Sequence, residues 1–286
     1  MGVTRRALLT GGLLGVGGVV GVGALVEYDV LPGRTSAYDT LGLNGEPGVI
    51  PDVQGGPVRT GTLRGAAWRL FEPPDPEPGL PVVVALHGAY GSSSSLQSTL
   101  GLDRFLAASG HRFVIAGIDG GPSSYWHPRD DGSDTGALVL DSFLPLLGQQ
   151  GYDVARPAFL GWSMGGYGAM LLATRLVEQG APVGPVAATS PAVWEHLDDA
   201  APGAFDGPDD FAEAGMFQRR DLLAGVPLRI DCGRGDPFYR SVADFADDLD
   251  AEVHFEAGAH DADYWTRVLP AQLDWLAVGL SAAGAQ

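Results

Sequence analysis

The chain has no lysine. All 17 of its basic residues are arginine, and with 35 Asp and Glu they leave a formal charge of −18. Nucleic acid is therefore excluded as a partner, because phosphate-backbone binding needs clustered basic side chains. The same charge leaves the folded domain without attraction to an anionic membrane surface. The arginine-only base content, beside 43 Gly, reads as genome bias rather than function. Cysteine is nearly absent too. Cys232 stands alone, so no intrachain disulfide can form and a disulfide-stapled fold is excluded, although the compartment stays open. Charged residues make up 18% of the chain and apolar ones 45%, which describes an ordinary globular protein. At 286 residues there is room for one large α/β domain beyond an N-terminal export segment, and no internal repeat interrupts it.

That N-terminal segment is expected to span residues 1–30. Arg5 and Arg6 precede an uncharged run of Gly, Val, Leu and Ala that reaches Val26. A twin arginine before a moderately apolar stretch looks like an export signal of the twin-arginine type, and it places the protein outside the cytoplasm or in the envelope. No cysteine closes the run, so a lipoprotein anchor is excluded. Small residues stand at Val22-Gly23-Ala24, a weak cleavage site. The run is therefore either cleaved or kept as a membrane anchor, the only membrane contact the sequence suggests. Residues 31–57 are rich in Gly, Pro and polar side chains without a period, and they read as a linker or extended arm. The catalytic domain is expected over residues 58–286.

Within it, strands alternate with helices. Residues 58–71 look like a strand pair, and 81–86 form a short continuous apolar run of the kind buried on both faces in a parallel sheet. Further strands are expected at 113–118, 157–162, 186–190, 226–231 and 252–256. Helices are expected at 96–109, 137–149, 166–178, 241–249 and 264–278. This order predicts an α/β fold with a mainly parallel central sheet and helices on both faces. The acidic, Ala-rich stretch 194–223 reads either as a lid over a site or as a surface excursion.

The strongest local signal is Gly161-Trp162-Ser163-Met164-Gly165-Gly166 between an apolar strand and a helix. A serine on such a sharp turn projects its hydroxyl above the sheet, and the flanking glycines leave room for the neighbouring backbone. A nucleophilic serine needs a base and a carboxylate to orient it, in the chain order Ser, acid, His. Of six histidines, only His260 sits in a loop after the later strands, so it is the expected base. His254 falls within an alternating strand, and His111 and His196 read as ordinary surface or loop residues. Asp236, in the Gly-rich loop after the strand near 230, is the expected acid. Asp231 is its rival but stands at the strand end. Asp261 and Asp263 lie too close to His260 along the chain. The oxyanion of a tetrahedral intermediate needs two donors: the N–H of Met164 and, from the loop Leu86-His87-Gly88-Ala89-Tyr90-Gly91, the N–H of Ala89. His87 is expected to shape that loop.

Taken together, Leu86-His87-Gly88, the Ser163 motif, Asp236 and Gly258-Ala259-His260-Asp261 resemble the esterase D-type branch of the α/β-hydrolases. That branch includes feruloyl and acetyl-xylan esterase-like proteins and the mycobacterial mycolyltransferases. The resemblance runs from about Val58 to the C-terminus. It implies the α/β-hydrolase fold, a serine esterase activity without metal or organic cofactor, and an ester of a small molecule, polysaccharide or lipid as substrate. Asp119-Gly120-Gly121 and Tyr125-Trp126-His127-Pro128 look like the loop these proteins place beside the acyl pocket. The expected pocket therefore includes His87, Tyr90, Tyr125, Trp126, His127 and Trp265. In the mycolyltransferases the triad acid is a Glu, so Asp at 236 favours hydrolysis over mycolyl transfer. Acyl transfer to an envelope acceptor and a non-catalytic binding protein remain the rival readings. A metal-dependent hydrolase built on His87, Asp119 and His127 has no recognised ligand spacing.

Overall fold

The computed structural model describes residues 33–283, and the expected export segment lies outside them. Eight strands form one sheet in the order β1-β2-β4-β3-β5-β6-β7-β8. They are β1 (Val58–Leu63), β2 (Ala66–Phe71), β3 (Pro81–Leu86), β4 (Val114–Ile118), β5 (Asp153–Trp162), β6 (Val186–Thr189), β7 (Leu228–Gly233) and β8 (Glu252–Glu256). β1 and β2 make an antiparallel hairpin, and β2 runs antiparallel to β4. From β4 across to β8 every pairing is parallel. A continuous apolar run such as Pro81–Leu86 suits an interior strand because successive side chains enter opposite layers. Val82, Val84 and Leu86 pack into one core layer, with Phe159, Met170 and Leu172. Val83 and Ala85 face the other, with Leu160, Trp162, Leu269 and Leu273.

The helices that matter for the site are α1 (Arg34–Leu41), α2 (Leu102–Ser109), α3 (Leu144–Gln149), α4 (Met164–Glu178), α5 (Pro208–Ala214), α6 (Tyr239–Ala246) and α7 (Ala262–Ala283). A π-helical stretch, Leu138–Phe143, precedes α3. The helix expected from residue 166 begins at Met164, immediately after the serine. This is the placement a nucleophile turn requires.

Of the expected linker or extended arm, the described residues 33–57 carry α1 and then an extended strap bound to the domain. Arg34 is buried, its guanidinium lies 4.6 Å from the centroid of the Tyr239 ring, and Nη1 donates to the Arg234 carbonyl at 3.2 Å. Arg267 on α7 donates to the carbonyls of Asn44, Glu46 and Ala257. The Gly48 N–H donates to Asp263 O at 2.7 Å. The strap thus touches both the segment that carries Asp236 and the segment around His260. α1 has no apolar period, so its partners rather than its pattern hold it in place, and a sequence pattern alone does not reveal it. Arg34→Ala removes a cation–π contact and a charged hydrogen bond, together about 1–2 kcal/mol. The expected result is a fall in Tm of about 2–6 °C by thermal unfolding.

Candidate active site

The loops at the C-terminal ends of β3, β5, β7 and β8 meet above the sheet. Ser163 caps α4 with φ 55° and ψ −119°, a backbone conformation that costs free energy for a residue with a side chain. Its surroundings impose it. The Ser163 N–H donates to Thr189 O at 3.0 Å, while its carbonyl accepts from Tyr167 N at 3.0 Å and Ala192 N at 3.2 Å. The glycines of the motif are a packing requirement. A Cβ on Gly161 would run into the backbone of Gly165, and one on Gly165 would run into the Leu86 carbonyl. Because the obstacle is the Leu86–His87 backbone rather than a flexible side chain, Gly165→Ala is expected to cost about 3 kcal/mol or more. Thermal unfolding measures this, and an unchanged Tm would contradict the geometry.

His260 connects the nucleophile to a carboxylate. Ser163 Oγ donates to His260 Nε2 at 2.9 Å, and His260 Nδ1 donates to Asp236 Oδ2 at 2.8 Å, the tautomer being set by these two partners. Asp236 is only 1% exposed. Its second oxygen, Oδ1, accepts from Phe238 N at 2.8 Å, which folds the loop after β7 into a tight turn. Two backbone bonds tie the acid and base loops to each other: Arg234 N to Glu256 O at 2.7 Å and Gly235 N to Gly258 O at 2.8 Å. The imidazole is flanked by two rings, Phe238 with centroids 5.1 Å apart and Trp265 at 5.2 Å. Trp265 is itself oriented by Nε1 donating to Ser190 Oγ at 3.3 Å.

Asp231, the rival carboxylate, is committed elsewhere. Arg229 grips it through Nε at 2.9 Å and Nη2 at 2.8 Å, and Gln272 Nε2 donates to it at 2.8 Å. It is a buried ion pair beneath the site, with no bond to His260.

Neither the Met164 N–H nor the Ala89 N–H has an acceptor among the described residues. Met164 is fully buried, and an unsatisfied buried donor is costly enough to be uncommon. Its N–H stands at the start of α4, where the helix dipole favours negative charge. The loop bearing Ala89 is fixed by His87, whose Nδ1 donates to Gly88 O at 2.8 Å and whose Nε2 accepts from Gly120 N at 2.9 Å. Burial pushes the His87 pKa down, in keeping with a neutral ring that accepts a backbone N–H. Both ring nitrogens are thus engaged with the backbone of these loops.

A cavity of about 470 Å³ opens beside Ser163 and His260. Ala89, Tyr90, Leu96, Leu100, Trp162 and Trp265 are among the residues that line it. Of the expected pocket residues, His87, Tyr90 and Trp265 line this cavity, and Tyr125, Trp126 and His127 do not. These three are turned into the protein. Trp126 fills a groove left by Gly120 and Gly168, at either of which a Cβ would strike the indole. Tyr125 packs edge-on to Tyr167 with centroids 5.6 Å apart, and His127 stacks on Phe205 at 5.3 Å. His127 also meets Asp210 Oδ1 at 3.1 Å and Ala204 O at 2.9 Å. The residues missed by pattern are Leu96, Thr99, Leu100 and Trp162 in the cavity, and Phe238 against His260. The four-residue spacing of Leu96 and Leu100, just after the His87 loop, was the one available signal.

Residues 194–223 lie to the side of this cavity and contribute nothing to its lining. Phe205 and Phe211 of this stretch pack edge-on at 4.9 Å, and Phe205 continues into Tyr125, Tyr167 and His127. Arg129 holds Asp206 by two bonds, at 3.0 and 2.6 Å, and keeps that carboxyl at about 2, below its usual range. Arg219 bonds Thr174 and Glu178 on α4. Between this stretch and α6 runs a second, open depression bordered by Trp194, Glu195, Phe238, Arg240 and Asp244. Among the described residues, no group of three His, Cys, Asp or Glu could hold a metal, and no helix is long and apolar enough to cross a membrane.

No family model matches the chain, and no curated protein sequence matches it. Solved structures do. FphF, a fluorophosphonate-binding serine hydrolase of Staphylococcus aureus, superposes with a TM-score of 0.66 at 16% identity, covering 78% of this chain and 99% of its own. An S-formylglutathione hydrolase from Agrobacterium tumefaciens gives 0.65 at 18% identity, covering 78% and 94%. A ferulic acid esterase gives 0.62 at 20%, covering 78% and 99%. The fold is that of the α/β-hydrolases. At these identities the likeness is one of fold, and the chemistry has to be argued from the residues above.

Proposed function

We propose that the chain is a carboxylic ester hydrolase acting through an acyl-enzyme on Ser163. One observation carries this reading: the unbroken relay Ser163 Oγ, His260, Asp236, with bonds of 2.9 and 2.8 Å. Ser163 Oγ attacks the ester carbonyl carbon as its proton passes to His260 Nε2. Asp236 holds the imidazole in the required tautomer and stabilises the imidazolium. The carbonyl oxygen becomes an oxyanion facing the free N–H groups of Met164 and Ala89. The C–O bond to the alcohol then breaks, and His260 returns the proton to the leaving oxygen. Water, deprotonated in turn by His260, attacks the acyl carbon, and the acid leaves with Ser163 regenerated. The solved structures alike in fold include proteins described as a serine hydrolase, a ferulic acid esterase and an S-formylglutathione hydrolase, which supports an acyl substrate.

The test is turnover of p-nitrophenyl esters by the full chain, with and without added acceptor alcohols. Release of free acid as the main product supports hydrolysis. Transfer product formed in preference to acid would move the assignment to acyltransferase, and no Ser163-dependent turnover would favour a non-catalytic binding protein. Export is proposed on Arg5, Arg6 and the apolar run to Val26 alone. It is tested by where the full chain accumulates when Arg5 and Arg6 are both changed to Gln.

A further inference from the structure

We propose that the strap, residues 34–48, is a positioning device for the catalytic acid and base. Fastened by Arg34 to the acid loop and by Arg267 to the base loop, it holds Asp236 and His260 in register, and loosening it slows the chemical step without weakening substrate binding. The proposal rests on the hydrolase reading and adds to it residues that act through Asp236 and His260.

The base needs an outside hold because of where its loop begins. β8 is the last strand of the sheet and, among the described residues, pairs with β7 alone. The loop that carries His260 leaves from this edge, whereas Asp236 sits on the loop after β7. The 2.8 Å bond from His260 Nδ1 to Asp236 Oδ2 therefore spans two loops from different strands. Two backbone bonds join these loops directly, Arg234 N to Glu256 O and Gly235 N to Gly258 O. Both lie before the catalytic side chains in the chain, so neither fixes the loops beyond them.

The strap supplies that hold. At the acid loop, Tyr38 and Asn44 lie against Gly235, the residue before Asp236, so closely that a Cβ there would strike both. Arg34 adds its bond to the Arg234 carbonyl and its stacking on Tyr239, whose N–H donates to Asp236 O at 3.1 Å. The end of α1 is closed onto this surface by Leu43 N donating to Tyr38 O at 2.9 Å and Asn44 Nδ2 to Asp39 Oδ1 at 2.6 Å. At the base loop, the Arg267 guanidinium donates to Asn44 O and Glu46 O on the strap and to Ala257 O, three residues before His260. A planar fork serves such divided partners better than a point-like ammonium. Three residues after His260, Asp263 O accepts the Gly48 N–H at 2.7 Å. Gly48 lies so near Thr266 and Arg267 that a Cβ would strike their backbone. The strap thus grips the acid loop at Gly235 and brackets the base at 257 and 263. None of Arg34, Tyr38, Asn44, Gly48 or Arg267 lines the cavity beside Ser163, so the relay geometry, and not substrate affinity, is what they set. A misplacement of about 1 Å in such a relay is worth on the order of a hundredfold in rate.

The experiment is kcat and KM of the full chain for a p-nitrophenyl ester, measured well below the Tm of each variant. Arg267→Ala frees the strap from the base loop and is expected to lower kcat by about 10–100-fold with KM within about threefold. Arg267→Lys, which keeps the charge without the fork, is expected to recover part of that loss, and it carries the same test if Arg267→Ala does not fold. Gly48→Ala pushes the strap off α7 from the other side and is expected to lower kcat about fivefold or more. Combined with Arg267→Ala it is expected to add less than about twofold, because both changes release one clamp. Arg175→Ala controls for lost stability, since it breaks two 3.0 Å bonds to Asp134 at the far end of α4 from Ser163. Its kcat is expected to stay within about twofold of wild type. The downfield proton resonance of His260 Nδ1–H, assigned by its absence in Asp236→Asn, reads the relay itself. It is expected to broaden or vanish in Arg267→Ala and to persist in Arg175→Ala. Strap variants that keep kcat within about twofold, a loss confined to KM, or an equal loss in Arg175→Ala overturns the proposal and leaves the hydrolase reading standing. A wild-type chain without Ser163-dependent turnover overturns both.

Discussion

Ser163→Ala is expected to lower kcat for a p-nitrophenyl ester by about 10⁵–10⁶-fold, the loss found when a triad nucleophile is removed from other serine hydrolases. The structure gives reasons for an effect of that size. Among the described residues Ser163 Oγ is the one partner of His260 Nε2, so the variant loses the attacking atom and leaves the base with no proton to take. Alanine fits the site without strain beyond that already present at φ 55°, and the fold should survive. Residual rate above water, about 10³–10⁴-fold, should remain from binding and from the two free N–H donors. His260→Ala should cost a similar factor, and the double variant little more, because the three side chains act as one unit. Initial-rate measurements on the purified variants decide it. A Ser163→Ala protein that keeps a tenth of the wild-type rate would overturn the nucleophile assignment.

Asp236→Asn and Asp231→Asn should separate catalysis from stability. Both carboxylates are only 1% exposed and lie five residues apart, but their bonds differ. Asp236 accepts from His260 Nδ1. An amide there can offer an N–H in place of the acceptor, turning the imidazole to the wrong tautomer, and kcat is expected to fall about 10⁴-fold. Its other bond, from Phe238 N, survives, so Tm should change little. Asp231→Asn instead takes from the buried Arg229 guanidinium the carboxylate it holds by two bonds, leaving it only the half-exposed Glu252 at 3.1 Å. Removing one member of a buried pair costs about 3–5 kcal/mol, which in a domain of this size is a fall in Tm of roughly 10 °C. Its kcat at low temperature should stay within a few fold of wild type. Steady-state kinetics beside thermal unfolding on both variants would show the opposite pattern if Asp231 were the orienting acid.

Much of this site was legible in the sequence because its signals are local. The serine turn is a six-residue string whose glycines answer to nearby backbone, and the order Ser163, Asp236, His260 follows from the order of strands in the sheet. The parallel strands were legible for the same reason: an uninterrupted run such as Pro81–Leu86 has few other places to go. The misplaced residues depend on contacts far apart in the chain. Nothing near Trp126 says that Gly168, on another element, leaves the groove it fills. Tyr125 and His127 are buried by Phe205 and Ala204 from the acidic stretch, whose own pattern is too weak to show which way it packs. The strap is hidden likewise, since Arg34 finds its ring at Tyr239 about two hundred positions later.

The most direct measurement is the site of covalent labelling. A fluorophosphonate reacts only where a serine is activated by a base and the phosphoryl oxygen is received by oxyanion donors. Treated with such a probe and mapped by peptide mass spectrometry, the full chain is expected to carry one adduct, on Ser163, with Ser163→Ala unlabelled and Asp236→Asn labelled far more slowly. An adduct on a different serine, or ester turnover that continues after Ser163 is fully blocked, would contradict the assignment of Ser163, His260 and Asp236 as the catalytic unit.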